Sequence, residues 1–292
     1  MSIDALQNKI RKKKNPVALT ISPMASQIPA KWLEDHQGDT VKAAGAYCRE
    51  LLAGLKDAIP AVRVNPGAFA LLGSGGMEEM TGILETAKEL GYYVILDWLR
   101  LDTPEEAKSA SELIFKQERF PCDAVTLCGY AGTDCLKPWF KAAGKDKDVY
   151  VVVKTANKSG SELQDVQTGG RMLFTASADL VGRLGETAME RCGYSRYAVM
   201  AGANSAGSLK TLRERYPKLF VMVDGLDGTG GNAKNASAAF DRVGHGALVC
   251  VSGSVFAAWQ EAEGEGEKDP ITAAREAAER VKRNLARYVT VL

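Results

Sequence analysis

Eight short, near-continuously apolar runs, each followed by a stretch with helical spacing, constrain this chain more than any other feature. The runs are Val17–Ile21, Ala61–Val64, Tyr92–Leu96, Asp123–Leu127, Val149–Val153, Tyr197–Ala201, Leu219–Val223 and Ala247–Val251. Runs of this kind suit parallel strands covered on both faces, where no residue is left to alternate towards water. Segments such as Met77–Leu90, Thr103–Phe115 and Ala206–Arg215 carry the helical period between them. Eight strand–helix units predict an α/β fold, a (β/α)8 barrel, with a doubly wound open sheet as the alternative. The 292 residues fit one such barrel as a single domain over 1–292. Two segments fall outside the units. Residues 30–59 read as a helical insertion after the first strand, and residues 268–288 as a C-terminal helix opened by Pro270 after an acidic linker, Glu261–Asp269.

Charge narrows the function classes. Lys and Arg total 37 against 36 Asp and Glu, a net charge of +1, which argues against broad capture of nucleic acid or acidic lipid. The basic run Arg11–Lys14 is read as the solvated end of a first helix. No apolar stretch approaches the roughly 18–20 residues that cross a bilayer. The first residues lack the charged-then-apolar order of a secretory signal. The six cysteines form no C-x-x-C pair and, with only His36 and His245 present, no metal motif; reduced thiols and a cytoplasmic location are expected, with no metal and no cofactor.

Working residues of such barrels stand at the C-terminal ends of the strands and in the loops beyond them. The third strand ends Leu96-Asp97-Trp98-Leu99-Arg100-Leu101-Asp102. Asp97 and Asp102 would hold a substrate hydroxyl or a cation, or Asp102 would cap the helix begun by Thr103-Pro104-Glu105. After the fifth strand, Lys154 to Gln164 is rich in donors and too long for a plain turn, as in a ligand-facing loop. After the seventh, Asp224-Gly225-Leu226-Asp227-Gly228-Thr229-Gly230-Gly231-Asn232 offers backbone N–H groups suited to a phosphate, or is a flexible connector. The eighth strand ends in Ser252-Gly253-Ser254, two hydroxyls with no basic neighbour. Cys128, closing the fourth strand, has no adjacent His or Lys to lower its pKa and reads as an inert thiol.

At these junctions the sequence resembles the orotidine 5′-monophosphate decarboxylase family, in particular its bacterial subgroup with an extra helical segment after strand one. The resemblance covers about residues 3 to 260. It rests on Ile3-Asp4-Ala5-Leu6 through Asn15-Pro16, on Lys154-Thr155-Ala156-Asn157 with Gly160-Ser161-Glu162-Leu163-Gln164-Asp165, on Cys192-Gly193-Tyr194-Ser195, on Gly202-Ala203-Asn204 and on Gly230-Gly231. The family's strand-three hallmark is Asp-x-Lys-x-x-Asp, its lysine protonating the carbanion formed as carbon dioxide leaves. Asp97 and Asp102 fit it, and Leu99 stands where the lysine belongs. Ser22 replaces the ribose-contacting aspartate of strand one, Arg63 a strand-two lysine, Cys128-Gly129 an Asn-Pro pair, Thr229 the phosphate-loop glutamine, and Ser252-Gly253 a Ser-Ser-Arg whose arginine grips the 5′-phosphate.

The resemblance implies a lyase of pyrimidine biosynthesis, and the departures imply that its decarboxylase chemistry is impaired. Leucine neither donates a proton nor offsets developing negative charge. Asp97 and Asp102 would face each other across Leu99 without a cation, so that one carboxyl is raised in pKa or turns away. The leading expectation is a pseudoenzyme that binds a nucleotide or phosphorylated small molecule through Ser22, Arg63, Thr155, Asn157, Thr229, Gly230, Gly231 and Ser252, with Asp97 and Asp102 as the catalytic remnants. An active decarboxylase in which Arg63 or Lys154 reaches the lost lysine's place is the second. An interaction subunit is the third. Family members are typically homodimers sharing an aspartate across the interface, and Asp102 matches that position, so a homodimer or a heterodimer with an active paralogue is implied.

Overall fold

A computed structural model describes residues 1–100, 102–227, 230–262 and 269–292. Its eight barrel strands, numbered here in chain order, are β1 Val17–Ile21, β2 Ala61–Val64, β3 Tyr93–Leu96, β4 Ala124–Cys128, β5 Asp148–Lys154, β6 Ser195–Gly202, β7 Leu219–Asp224 and β8 Ala247–Val251. They run parallel and close in the order β1-β8-β7-β6-β5-β4-β3-β2. The open-sheet alternative is thereby excluded.

Strand alternation sorts the side chains into two cores. Ala18, Ala61, Tyr93, Ile95, Ala124, Tyr150, Ala198, Met200, Phe220, Met222, Leu248 and Cys250 fill the barrel interior. Their sequence neighbours, such as Val17, Leu19, Val62, Val94, Val125, Val199, Val221 and Val249, pack outwards against the helices. Both sets are buried, which is why the runs read as continuous rather than alternating.

The two barrel ends are built differently. At the N-terminal end the helix Ile3–Lys13 lies across the opening, and its Ile3, Leu6 and Ile10 join the interior cluster. Each such apolar side chain, fully buried, stabilises by about 1.5–3 kcal/mol. The insertion after β1 forms the helices Ala30–Asp35 and Thr40–Leu55, the second capped by Asp39, whose carboxylate accepts from the N–H groups of Val41 and Lys42 at 3.1 Å each. Trp32, Tyr47 and Phe256 stack edge to face, at 5.0 and 5.2 Å between centroids, which fastens the insertion to the turn after β8. The C-terminal helix spans Pro270–Ala286, with Asp269 accepting from the Thr272 N–H at 2.9 Å. Most of the expected acidic linker, residues 263–268, lies outside the described residues. Among the described residues no helix is long and apolar enough to cross a membrane.

Three local readings change. Asp102 does not cap the helix beyond it: Thr103 does, in a reciprocal capping box with Glu106, and the helix Pro104–Ser111 then widens into a π turn over Glu112–Lys116. The helix before β3 begins at Gly73 rather than Met77. A small antiparallel hairpin, Gln167–Thr168 with Arg171–Met172, follows the β5 loop. It turns on Gly169 and Gly170, at φ 57° and 77°, the left-handed pair that a two-residue hairpin turn requires.

Candidate active site

The alternation that fills the barrel with apolar side chains also delivers its polar ones. One step beyond the apolar layer, β2 presents Arg63, β3 leads to Asp97, β4 carries Thr126, β7 ends in Asp224 and β8 supplies Cys250. The Arg63 guanidinium joins them. Its Nη2 lies 2.9 Å from Asp97 Oδ2 and its Nη1 lies 2.9 Å from Asp224 Oδ1. Thr126 Oγ1 donates to the other Asp97 oxygen. Arg63 and Asp97 are buried, whereas the Asp224 side chain keeps 29% exposure and faces the mouth. Burial by itself would lower the Arg63 guanidinium, but the charges of Asp97 and Asp224 outweigh it and hold it above its ordinary value. Burial likewise pushes the neighbouring Cys250 thiol up to about 12, against a smaller lowering by Arg63. The thiol therefore stays protonated, and the guanidinium keeps its proton.

Leu99 does not wedge between Asp97 and Asp102. It sits in left-handed backbone, φ 44°, donates its N–H to the Thr126 carbonyl at 3.1 Å, and leaves 44% of its surface exposed. The expected unscreened carboxylate pair is absent, because each has its own cation. Asp97 is held by Arg63. Asp102 is held by Arg100, with Nε to Oδ1 at 3.1 Å, and by the Trp98 indole N–H, 3.4 Å from Oδ2. Asp102 lines a surface groove with Trp98, Glu105 and Glu106. The structure thus brings Arg63 and Asp97 together and sets Asp102 apart.

Loop five is closed on itself. Gln164 accepts from the Thr155 N–H at 2.9 Å and donates to Thr155 Oγ1 at 2.9 Å, and Gly160 packs so tightly that a Cβ there would stand 2.7 Å from Thr155 Oγ1. Lys154 does not reach towards Leu99. A register shift after Val152 pairs it with Ala201, which faces the outer core, and its ammonium meets Asp165 and lies 5.2 Å from the Phe174 ring centroid. Asn157 is exposed. Ser22, half-buried after β1, accepts from Asn65 Nδ2 at 3.1 Å.

Loops seven and eight meet through a residue that sequence reasoning passed over. Asp227 Oδ2 accepts from the Ser252 N–H at 2.7 Å, the Ser254 N–H at 3.2 Å and the Ser254 hydroxyl at 2.8 Å. Gly231 is pressed against the loop's start: a Cβ there would lie 2.1 Å from the Gly225 carbonyl oxygen and 2.8 Å from Ala203 Cβ. Gly230, at φ 79°, is exposed, and Thr229 lies outside the described residues. Asp224, Asp227 and Thr126 were all legible in principle, since each stands at inward parity beyond an apolar strand or in the run of the mouth loops.

A second cleft of about 530 Å³ opens near the starts of β6 and β7, lined by Arg171, Asp179, Arg183, Arg215, Tyr216 and Lys218. Arg171 and Arg215 both pair there with Asp179 at the surface. It lacks the buried, converging charges of the mouth.

Closed parallel strands, a sealed base and a charged mouth define a (β/α)8 barrel, the fold class whose characterised members meet their ligands at the C-terminal ends of the strands. The chain belongs to the family described as Orotidine 5'-phosphate decarboxylase / HUMPS, which it matches over residues 48–280. It is similar to the orotidine 5'-phosphate decarboxylases of Clostridium novyi (strain NT), 26% identical over 98% of both chains, and of Rhodopirellula baltica, 28% identical over 78% of this chain and 79% of that one. Its fold matches solved OMP decarboxylases from Leishmania donovani, with a TM-score of 0.70, 24% identity and 98% and 99% coverage, and from Plasmodium berghei, with 0.79, 13% and 98% of each.

Proposed function

We propose that this chain is a catalytically impaired member of the decarboxylase family that keeps a ligand-binding mouth. The observation that carries the reading is the state of its cations. Leu99, 44% exposed, stands where the resemblance expects a proton-donating lysine. The buried cation beside Asp97 is a guanidinium divided between two carboxylates, whose proton is held more tightly than usual. Decarboxylation needs a proton delivered to the nascent carbanion, and neither an alkyl chain nor such a guanidinium delivers one near neutral pH. Asp97, Arg63, Asp224 and Ser22 would still order a polar, hydroxyl-bearing ligand. Carbon dioxide release from orotidine 5′-monophosphate, followed alongside titration with uridine and uridine 5′-monophosphate, tests it: binding without turnover supports the reading and brisk turnover ends it.

One observation favours a second reading, an active decarboxylase with a rearranged site: Arg63 keeps a positive charge 2.9 Å from Asp97. That charge would stabilise developing anionic character even though it supplies no proton. A dimer, homotypic or with an active paralogue, belongs to the proposal through the resemblance at Asp102. Sedimentation at micromolar concentration tests it, and a monomer there counts against it.

A further inference from the structure

We propose that the ligand of this mouth carries no phosphate, and that Asp227 is the residue setting that specificity. The inference rests on the mouth being a ligand site and names what it takes: a neutral or cationic molecule, the nucleoside rather than the nucleotide. In barrels of this architecture a phosphate is frequently received between the loops after the seventh and eighth strands. Here those loops close around a carboxylate of the chain itself. Asp227, from loop seven, draws the N–H groups of Ser252 and Ser254 and the Ser254 hydroxyl onto one oxygen, at 2.7, 3.2 and 2.8 Å. These bonds take up three of the donors that loop eight has to offer an anion, and charge-assisted bonds of this kind are the stronger class.

Charge points the same way. Arg63, the buried guanidinium of the mouth, is shared between Asp97 and Asp224 at 2.9 Å each. Between the two serines stands Gly253, which brings no cation of its own. An incoming phosphate would have to break the three bonds to Asp227 and then lie beside that carboxylate and Asp224, like charges in a partly dried site. Rejection built from repulsion and pre-empted donors is specificity by exclusion. A nucleoside meets neither obstacle, because its hydroxyls donate to carboxylates without displacing Asp227.

The test compares wild type with Asp227→Asn, which keeps the volume and the acceptor oxygen, and Asp227→Ala, which removes both. Thermal unfolding in rising inorganic phosphate at fixed ionic strength reads the anion directly. Calorimetric titration with uridine and uridine 5′-monophosphate reads the ligand class. The expected result is no phosphate stabilisation of wild type, some in Asp227→Asn and most in Asp227→Ala. Affinity for the monophosphate should rise by about ten-fold or more in Asp227→Ala, while that for uridine changes by less than about two-fold. A residue that merely ties two loops together would lower stability without creating a phosphate response, and that outcome overturns the proposal. So does a wild type that phosphate or the monophosphate already stabilises as well as it does the variants. Should Asp227→Ala fail to fold, Asp227→Asn decides the matter alone. If neither uridine nor its monophosphate binds any form, the ligand reading of the mouth fails, while the phosphate response still settles the role of Asp227.

Discussion

One carboxyl at the base of the barrel, Asp148, and one at its mouth, Asp97, are buried in opposite ways. At the base, Asp148 opens β5 fully enclosed, accepting from the Tyr93 hydroxyl at 2.5 Å, with no ion pair among the described residues. Burial pushes its carboxyl up to about 8, opposed by the Tyr93 and Ile3 donors and by the more distant Arg196. At the mouth, Asp97 is almost as deeply buried but has a guanidinium at 2.9 Å and a threonine hydroxyl besides. At the base, burial favours the neutral form of Asp148, while the equally buried Asp123 pairs with Lys88 and the N-terminal ammonium at 2.5 and 2.6 Å. The mouth assembles two carboxylates around one buried cation and leaves the edge of Asp224 open. A lone buried carboxyl kept neutral belongs to the packing of the base, whereas charges gathered at the C-terminal ends of the strands stand where such barrels meet a ligand.

The largest expected effect breaks that comparison if it fails, and it concerns turnover. Wild-type protein should decarboxylate orotidine 5′-monophosphate many orders of magnitude more slowly than ordinary family members. Leu99→Lys alone should rescue little, because Ser22 and Gly253 remain where the resemblance expects an aspartate and an arginine, and Arg63 already holds a cation beside Asp97. Adding Ser22→Asp and Gly253→Arg should recover more than the single change, since residues acting as a unit are not additive. A Cβ at Gly253 would meet only Gln27 Nε2 at 3.7 Å, so the backbone admits that substitution. Steady-state assays on the three proteins decide it, and robust wild-type turnover means that another group supplies the proton.

Next in size is the stability carried by Arg63. Arg63→Met leaves Asp97 buried without its cation and should cost about 3–5 kcal/mol in urea unfolding. Combining it with Asp97→Asn should return part of that loss, because the uncompensated charge goes with it. No such recovery would mean that Arg63 acts through packing rather than charge, and the contrast between the ends would lose its basis.

How much of this was written in the sequence depends on parity. The apolar runs located β1, β2 and β8 residue for residue, because those strands begin and end on apolar residues, with Arg63 inside β2. They clipped β5, β6 and β7, whose ends are Asp148, Lys154, Ser195 and Asp224. Polar residues terminate an apolar run without terminating a strand, so hydropathy trimmed away strand ends, among them Asp224 of the site. Asp97 was found from its place at the end of an apolar strand, and Arg63 because a family pattern marked it. Asp224 and Asp227 were passed over inside a glycine-rich stretch read for its backbone donors, although Asp224 stands two residues after the inward Met222. The pairing of Asp102 with Trp98 and Arg100 follows from a loop path that no periodicity encodes.

The third effect separates the ends by pH. The carboxyl of Asp148 titrates near 8 in the folded protein and near 3.8 in the unfolded chain, so the folded state binds the extra proton between those values. Its contribution to stability is therefore full below about 4 and lost as pH rises through about 8. Asp148→Asn, which cannot ionise, should gain on wild type across that window by an amount on the order of a few kcal/mol, and the two should converge in acid. Denaturant unfolding at several pH values measures the difference. A constant offset between the two proteins would show that Asp148 is not neutral in the fold.

The smallest effect sharpens the contrast at a single residue. Leu99 holds φ at 44°, a conformation that costs a non-glycine residue roughly 1–2 kcal/mol relative to glycine. Its side chain is 44% exposed, so little burial repays that strain within this chain. Glycine relieves the strain but adds freedom to the unfolded chain, which removes about 0.5–1 kcal/mol of the gain. Leu99→Gly should therefore stabilise the isolated protein slightly, by about 0.5 kcal/mol, with the N–H bond to the Thr126 carbonyl retained. Thermal unfolding at low concentration reads this sign. A loss of 1 kcal/mol or more on substitution, growing with protein concentration, would mean that Leu99 is covered in solution by a second subunit. The strained leucine at the mouth would then belong to an interface rather than to an emptied catalytic position.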